Sequence, residues 1–245
     1  MKINYIAFLD PFYNFGGGEM VLRELLNTGK ERGHKFRMQT CSPYKYKIFE
    51  NPDLTILADI FNCPGKRPYF EPDKIINIIQ SGPYVHFDNA YVDICDLDYL
   101  PCNGNNKSIC PHKGLKSWKY HLKNKTFSKK CLASKNLTKL LYENSLTNYF
   151  VSPLHMETIC NSLNIDKKKG FVVRPIIDLD KFTNMNHKRD IDNLFVGVVC
   201  EAKGFAILKE EYSNKEITVV GKSLLKNKKD FGNWLGEIKY DEIPK

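Results

Sequence analysis

A run of glycines near the start of the chain carries the strongest chemical signal in the sequence. The run, Asn14 to Glu19 (NFGGGE), stands between an apolar segment typical of a buried strand and a segment with apolar residues at helical spacing. Glycines accept φ > 0, and without Cβ atoms they leave backbone N–H groups exposed at the positive end of a helix. Such a loop suits a phosphate or another anion. On these residues alone, a tight strand-to-helix turn without a ligand stays open.

Segments typical of strands and of helices alternate through the first part of the chain. The helix after the glycines ends near Gly33, and a second helix is predicted around Met156 to Leu163. Strands separated by helices indicate an α/β fold with a doubly wound parallel sheet. The predicted strands are Ile3–Leu9, Lys35–Cys41, Leu54–Leu57, Lys74–Ile79, Ala90–Cys95, Asn148–Val151 and Gly170–Val173.

The alternation restarts after a polar, Asn- and Lys-rich stretch. The sequence predicts a Rossmann-like domain over residues 1–174, a linker over 175–190 and part of a second Rossmann-like domain over 191–245. The second region is expected to hold strands at Asn193–Val199 and Glu216–Gly221, with a third at Trp234–Ile238. About 55 residues are too few for a doubly wound domain of ordinary size. We therefore expect either a shortened protein or a half-sheet that docks on the first domain.

Composition narrows the classes of partner. Lys plus Arg number 37 and Asp plus Glu number 28, so the net charge is +9 and anionic partners are favoured. Nucleotide phosphates and an acidic membrane surface fit this charge, whereas no nucleic-acid-binding motif is present and no nucleic acid is expected. No apolar run approaches the ~18 residues of a spanning helix, and no signal peptide opens the chain. The sequence therefore predicts a cytoplasmic protein.

The eight cysteines are predicted to be free thiols. Zinc sites commonly contain Cys-x2-Cys pairs, and the central cysteines lack that spacing. We expect no metal. A zinc site formed by Cys102, Cys110, His112 and Cys131 is the alternative.

Several segments, in order, resemble the glycosyltransferase family 4 group, whose members are retaining enzymes of the two-domain GT-B fold. The glycine run is similar to that group's Gly-Gly-x-Glu loop, and Val196-Gly197 with Lys203-Gly204 resembles the start of its donor domain. The resemblance extends over nearly the whole chain. Its other segments are Arg174–Phe182, similar to the group's linker, and Ile217–Gly221 and Leu235–Ile238, which continue the donor domain.

The resemblance implies a glycosyltransferase of polysaccharide, glycolipid or glycoprotein assembly. The substrate would be a nucleotide sugar (UDP-, GDP- or ADP-linked) and the acceptor a glycan, a lipid-linked sugar or a protein, with no other cofactor. The N-terminal domain would be the acceptor side, and the glycine loop would face the donor phosphates or the acceptor across an interdomain cleft. The donor and phosphate residues implied are Gly16, Gly17, Gly18, Glu19 and Lys203.

The sequence departs from the family pattern at three places that bear on whether the protein is an active enzyme. Val198 stands where the family often has an Arg, and Cys95-Asp96 stands where it commonly has His-Asp, which leaves Asp96 as the candidate catalytic residue. We expect His86 to be a loop residue without a role. The alternative is that His86 substitutes for the missing His of the family. The family's acidic motif would lie beyond Lys245. The alternative function is therefore a non-catalytic acceptor-binding module that needs a partner donor domain.

A basic segment offers a further interaction. Residues Lys113 to Lys130 are rich in Lys, with Leu115, Trp118 and Leu122 at helical spacing. A basic amphipathic helix can make peripheral contact with an anionic membrane, where lipid-linked acceptors occur. An ordinary packing helix with solvated lysines explains the same pattern.

Overall fold

The computed structural model falls into two units, Met1–Ile176 and Ile177–Lys245. Within the described ranges, no helix is long and apolar enough to cross a membrane. The structure describes residues 1–7, 9–13, 17–40, 48–58, 60, 72–89, 91, 94, 135–174, 191–200, 203, 208, 210–212, 217–223 and 232–238.

The first unit is built on a six-stranded sheet in which every neighbouring pair is parallel. The strand order is β2-β1-β3-β4-β5-β6. Since all strands run the same way, they finish at one end of the sheet, which we call its carboxyl end. The strands are β1 (Lys2–Ala7), β2 (Lys35–Thr40), β3 (Leu54–Ala58), β4 (Tyr84–Asp88), β5 (Thr147–Phe150) and β6 (Gly170–Val172).

Helices cover both faces of this sheet. They are α1 (Gly17–Glu31), α2 (Pro72–Gln80), α3 (Lys135–Asn144) and α4 (Pro153–Leu163). Successive side chains of β1 point to opposite faces, so Tyr5 packs in the cluster that contains Leu22 of α1, whereas Ile6 packs in the cluster that contains Leu141 of α3. The predicted doubly wound α/β fold is confirmed.

One predicted strand is wrong, because Lys74–Ile79 lies within helix α2. A short apolar run is compatible with either structure, and the residues before it decide the outcome here. Pro72 is the first helical residue, where its missing N–H costs nothing, and Asp73 lies in the first turn, where its charge favours the helix. Ile78 and Ile79, both in α2, pack against the buried cluster that contains Tyr84.

The predicted strand at Ala90–Cys95 is not found at the two residues described there. Tyr91 and Ile94 are instead joined by a turn, in which the Ile94 N–H donates to the Tyr91 carbonyl at 3.1 Å. The strand in this part of the chain is β4, and the sequence analysis missed it. His86 therefore lies inside a buried strand and not on a loop, which corrects the expectation for that residue.

The second unit contains a parallel three-stranded sheet in the order β7-β8-β9. Its strands are β7 (Leu194–Val196), β8 (Thr218–Val220) and β9 (Asn233–Gly236). Val199, Ile217 and Val219 form a small core. The three strands predicted from the sequence in this region are confirmed, and they form the start of a second Rossmann-like sheet.

Candidate functional site

The strand order of the first unit has a switch point at β1. The chain passes from β1 to β2 on one side and then to β3 on the other, so β1 is bordered by β2 and β3. In open α/β sheets, connections that diverge in this way leave a crevice at the carboxyl ends of the strands, and ligands bind there. The loop after β1 and the start of α1 belong to this end of the sheet.

Asp10 organises the loop that follows β1. Its side chain is 2% exposed, and its Oδ1 accepts a hydrogen bond from the Phe12 N–H at 2.9 Å. The Asp10 carbonyl accepts from the Tyr13 N–H at 3.3 Å. The carboxylate thus adds a second bond to the turn, as aspartates in such turns do.

Helix α1 begins at Gly17 with its first turn open to approach. Apart from its chain neighbours and the backbone of its own helix, no atom of the residues that the structure describes would lie within 4 Å of a Cβ on Gly17. Glu19 lies half-buried in the first turn, where its negative charge is favourable to the helix dipole. Gly17 and Gly18 are the first two residues of α1, and neither carries a Cβ beside the first-turn amides. Gly16 lies outside the described residues.

Asn89 lies directly against Gly18. It follows the last residue of β4, and a Cβ on Gly18 would lie 3.2 Å from Asn89 Nδ2 and 3.3 Å from its Cβ and Cγ. The absence of a Cβ at Gly18 is what lets the carboxamide approach the helix. Asn89 also lines a shallow depression at the carboxyl end, together with Val21, Phe87, Asp88, Tyr149, Phe150, Val151 and Val173.

A buried polar cluster lies next to Asn89. Asp88 is 2% exposed, and its Oδ2 accepts a hydrogen bond from the Tyr142 hydroxyl of α3 at 2.5 Å. The same oxygen lies 3.6 Å from His155 Nε2 of α4, and this contact is an ion pair only when His155 is protonated. Two helices therefore hold the carboxylate at the end of β4. Buried carboxylates are costly unless they are hydrogen-bonded, so this cluster strongly constrains the backbone here.

The start of α4 places His155 in this cluster. Ser152 is the N-cap, and its Oγ accepts a hydrogen bond from the His155 N–H at 3.1 Å. Pro153 follows as the first helical residue, a position that suits its fixed φ. The Ser-Pro pair thus fixes the first turn of α4, the turn that carries His155.

His86 also belongs to the buried cluster, one layer below the end of β4. It is fully buried, and its ring meets the Tyr142 ring edge-on with centroids 4.6 Å apart. Burial disfavours the charged imidazolium and, with the charge of His155 as a second cause, lowers the pKa of His86 to about 3. His86 is therefore neutral at physiological pH. It serves as a packed residue of the sheet and not as a group exposed at the carboxyl end.

Of the remaining predicted site residues, the structure describes Lys203, and the others lie outside the described residues. Lys203 is exposed in the second unit, and its N–H donates to the Cys200 carbonyl at 3.1 Å. Asp96 lies outside the described residues, as do Cys102, Cys110, His112 and Cys131. Among the residues that the structure does describe, no group of three or more His, Cys, Asp and Glu could hold a metal ion.

Sequence reasoning missed Asp88, Asn89, Tyr142 and His155. The available signal was the segment Tyr84–Asp88, in which aromatic and β-branched residues are frequent, as is typical of a strand. The polar His86 and Asp88 concealed it, because a predicted strand is expected to be apolar where it is buried.

Of the comparisons with known proteins, the one with solved structures finds matches, and these agree with the fold. No family model matches the sequence, and no curated protein matches it. Among solved structures, Anabaena Alr3699/HepE in complex with UDP matches with a TM-score of 0.51 and 12% identity, over 100% of this chain and 71% of that one. The complex of the same protein with UDP and glucose gives the same values. At this identity, the similarity is one of fold.

Proposed function

We propose that the protein is a nucleotide-sugar glycosyltransferase of GT-B type with a retaining mechanism. The observation that carries the proposal is the open first turn of α1, at the carboxyl end of a parallel sheet and beside its switch point. Two further observations support it. One is the ordered series of sequence segments that resemble the family. The other is the likeness in fold to a protein solved with UDP and with UDP and glucose.

In this proposal, the glycine run binds the phosphates of the donor. The N–H groups of Gly16, Gly17 and Gly18 and the positive end of α1 favour negative charge, and a missing Cβ lets a phosphate come close. That charge increases as the nucleotide diphosphate leaves, so fixed donors here would stabilise the transition state more than the ground state. Glu19 would serve by stabilising the first turn through the helix dipole.

The roles proposed for Lys203 and Asp96 are supported only by the resemblance of the sequence to the family. Lys203 would supply a compact positive charge for the diphosphate, and its exposed position leaves that charge available. Asp96 would be the catalytic carboxylate of the N-terminal domain. No metal is part of the proposal. The acceptor would be a glycan, a lipid-linked sugar or a protein, with peripheral contact to an anionic membrane through the basic segment at Lys113 to Lys130.

A second candidate is a binding module that needs a partner to complete the donor site. Val198 favours this candidate, since it is 40% exposed and offers no charge at a position where the family often has Arg. In that case the protein binds the acceptor, and transfer of sugar requires a second chain.

Calorimetry with UDP tests the proposal. We expect saturable binding of UDP, and weaker binding of uridine because uridine lacks the phosphates. Absence of binding by UDP, GDP and ADP at millimolar concentration would refute the proposed function for this chain. Where UDP binds, release of UDP from UDP-glucose in the presence of candidate acceptors separates a working transferase from a binding module.

A further inference from the structure

A cavity of about 390 Å³ lies between α1 and the edge strand β2, within the size range of small-molecule sites. We propose that it binds a single-chain anionic amphiphile, with the alkyl chain in the cavity and the carboxylate on Lys30. This inference does not depend on the proposed function. The described residues that line the cavity include Tyr5, Phe12, Leu26, Lys30, Phe36 and Met38.

The walls of the cavity come from a helix and a strand. Leu26 and Lys30 of α1 are four residues apart, so they lie on the same side of that helix. Phe36 and Met38 are alternate residues of β2 and therefore share one face of the sheet. The Phe36 ring fits beneath α1 because Gly29 has no side chain, since a Cβ there would lie 2.6 Å from Phe36 Cζ.

Phe12 adds a wall from the loop that follows β1. The Phe12 N–H donates to Oδ1 of the buried Asp10 at 2.9 Å, which fixes the backbone of Phe12. The Phe12 side chain packs against the cluster that contains Tyr5 and Leu26. The loop, the helix and two strands thus surround the cavity.

The walls favour a hydrocarbon. Phe12, Phe36 and Met38 are only half-buried, so each keeps apolar surface in contact with water. Covering such surface with an alkyl chain is favourable. The thioether chain of Met38 is flexible and polarizable, and it can adapt to a chain of varied shape.

The charge beside the cavity favours an anionic head group. The Lys30 ammonium is exposed and lies 4.8 Å from the centroid of the Phe12 ring, and no ion pair among the described residues involves it. It carries three N–H donors, so it can bind a carboxylate while it stays over the ring. Arg37 also lines the cavity and adds positive charge, but its guanidinium already stacks on Phe49 and donates to the Ile48 carbonyl. No described lining residue is acidic.

Calorimetry with the full chain and monomeric fatty acids tests this inference. We expect saturable binding of decanoate, weaker binding of octanoate and still weaker binding of hexanoate, by about threefold for each CH₂ removed. Decyltrimethylammonium has a chain of the same length and the opposite charge. We expect it to bind at least about fivefold more weakly than decanoate, because it is repelled by Lys30.

Lys30→Gln tests the position of the head group. The substitution keeps a long polar side chain at an exposed site, so we expect folding to be unaffected and decanoate binding to weaken by about fivefold, the upper end for an exposed ion pair. Decyltrimethylammonium should bind no more weakly than it does to the wild type. Lys168→Gln is the matched control, since it removes the same charge from an exposed lysine next to β6, at the other edge of the sheet.

Three results would each overturn the inference. They are no saturable binding of decanoate at millimolar concentration, an affinity that does not change with chain length, and equal losses in Lys30→Gln and Lys168→Gln. Because no nucleotide takes part in the experiment, none of these results bears on the proposed function.

Discussion

Gly18 and Asn89 are packed so closely that a side chain at position 18 would crowd Asn89, with a Cβ lying 3.2 Å from Asn89 Nδ2 and 3.3 Å from its Cγ. Gly18 is in the first turn of α1, and Asn89 follows β4. This contact joins the glycine run to the end of a strand that comes some seventy residues later in the chain. It therefore gives Gly18 a packing role separate from any role in ligand binding.

We expect Gly18→Ala to lower the free energy of unfolding by about 1 kcal/mol, the lower end of the cost of overpacking. In an Asn89→Ala background, the same substitution should cost less, because two of the three nearest crowding atoms (Nδ2 and Cγ) are gone, the Cβ remains, and Ala favours helix. Urea denaturation of the four proteins measures this coupling. Equal costs in both backgrounds would show that the contact does not form.

The buried imidazole of His86 predicts a loss of stability in acid. The pKa of His86 is lowered to about 3 in the folded protein, against 6.5 for the free side chain. Between these values the unfolded chain binds a proton that the folded chain does not, so stability is full above pH 6.5 and is lost as pH falls toward 3. The expected cost between pH 6.5 and pH 5 is about 2 kcal/mol.

The change in unfolding free energy between pH 7.5 and pH 5 should be compared with that of His86→Gln, which keeps a polar side chain and cannot titrate in this range. An equal pH dependence in the two proteins would contradict a neutral, buried His86.

The second unit depends on a close backbone contact between Gly197 and Gly221. Gly221 has φ +138°, and a Cβ there would overlap the Gly197 carbonyl group. Backbone strain and overlap together predict that Gly221→Ala costs about 3 kcal/mol or more. Gly236 is the control, since its φ of +80° is also positive but, its chain neighbours aside, no described atom lies within 4 Å of its Cβ position. Gly236→Ala should cost only about 1 kcal/mol, and comparable costs for the two would refute the contact.

Much of the fold could be predicted from the sequence because most strands are apolar runs bounded by helices. Two of the errors have one cause, which is that the pattern within a segment carries no information about the residues that pack around it. The isoleucine-rich run at Lys74–Ile79 resembles a buried strand, yet Pro72 and Asp73 start a helix there. The strand Tyr84–Asp88 contains a His and an Asp, which are tolerated inside because α3 and α4 supply partners.

Only those parts of the candidate site that are formed by residues close together in the sequence could be predicted. Gly17 and Gly18 stand out because a loop between a strand and a helix is visible in a short window of sequence. Asp88 and Tyr142 are 54 residues apart and meet only in the folded chain. No sequence motif marks either Asp88 or Tyr142. Their contact could therefore not be predicted before the order of the strands was known.

Lys203 is expected to contribute charge to nucleotide binding. We predict that Lys203→Ala weakens UDP binding by about threefold to tenfold, with the loss shrinking as salt is raised because the contact is exposed and screened. Lys222→Ala is the control, since Lys222 is another exposed lysine of the second unit. An equal effect of both substitutions would mean that only net charge matters, and Lys203 would then have no specific role.

The central claim is that the open first turn of α1 binds the phosphates of a nucleotide, and Gly17→Ala tests it most directly. Apart from its chain neighbours and the backbone of its own helix, no atom of the described structure lies within 4 Å of the Cβ position, so the added methyl group should not disturb the fold. Ala in place of Gly should instead stabilise the helix by up to about 1 kcal/mol. Thr28→Ala, at an exposed position near the other end of α1, is the control for helix propensity.

The measurement is the Kd for UDP by calorimetry, alongside the melting temperature of each protein. The account predicts that Gly17→Ala weakens UDP binding at least about tenfold while its melting temperature is unchanged or raised, because the methyl group occupies the space of a phosphate. Thr28→Ala should leave the Kd unchanged. UDP affinity that is the same in Gly17→Ala and the wild type would contradict the account, and the glycine run would then be a turn and nothing more.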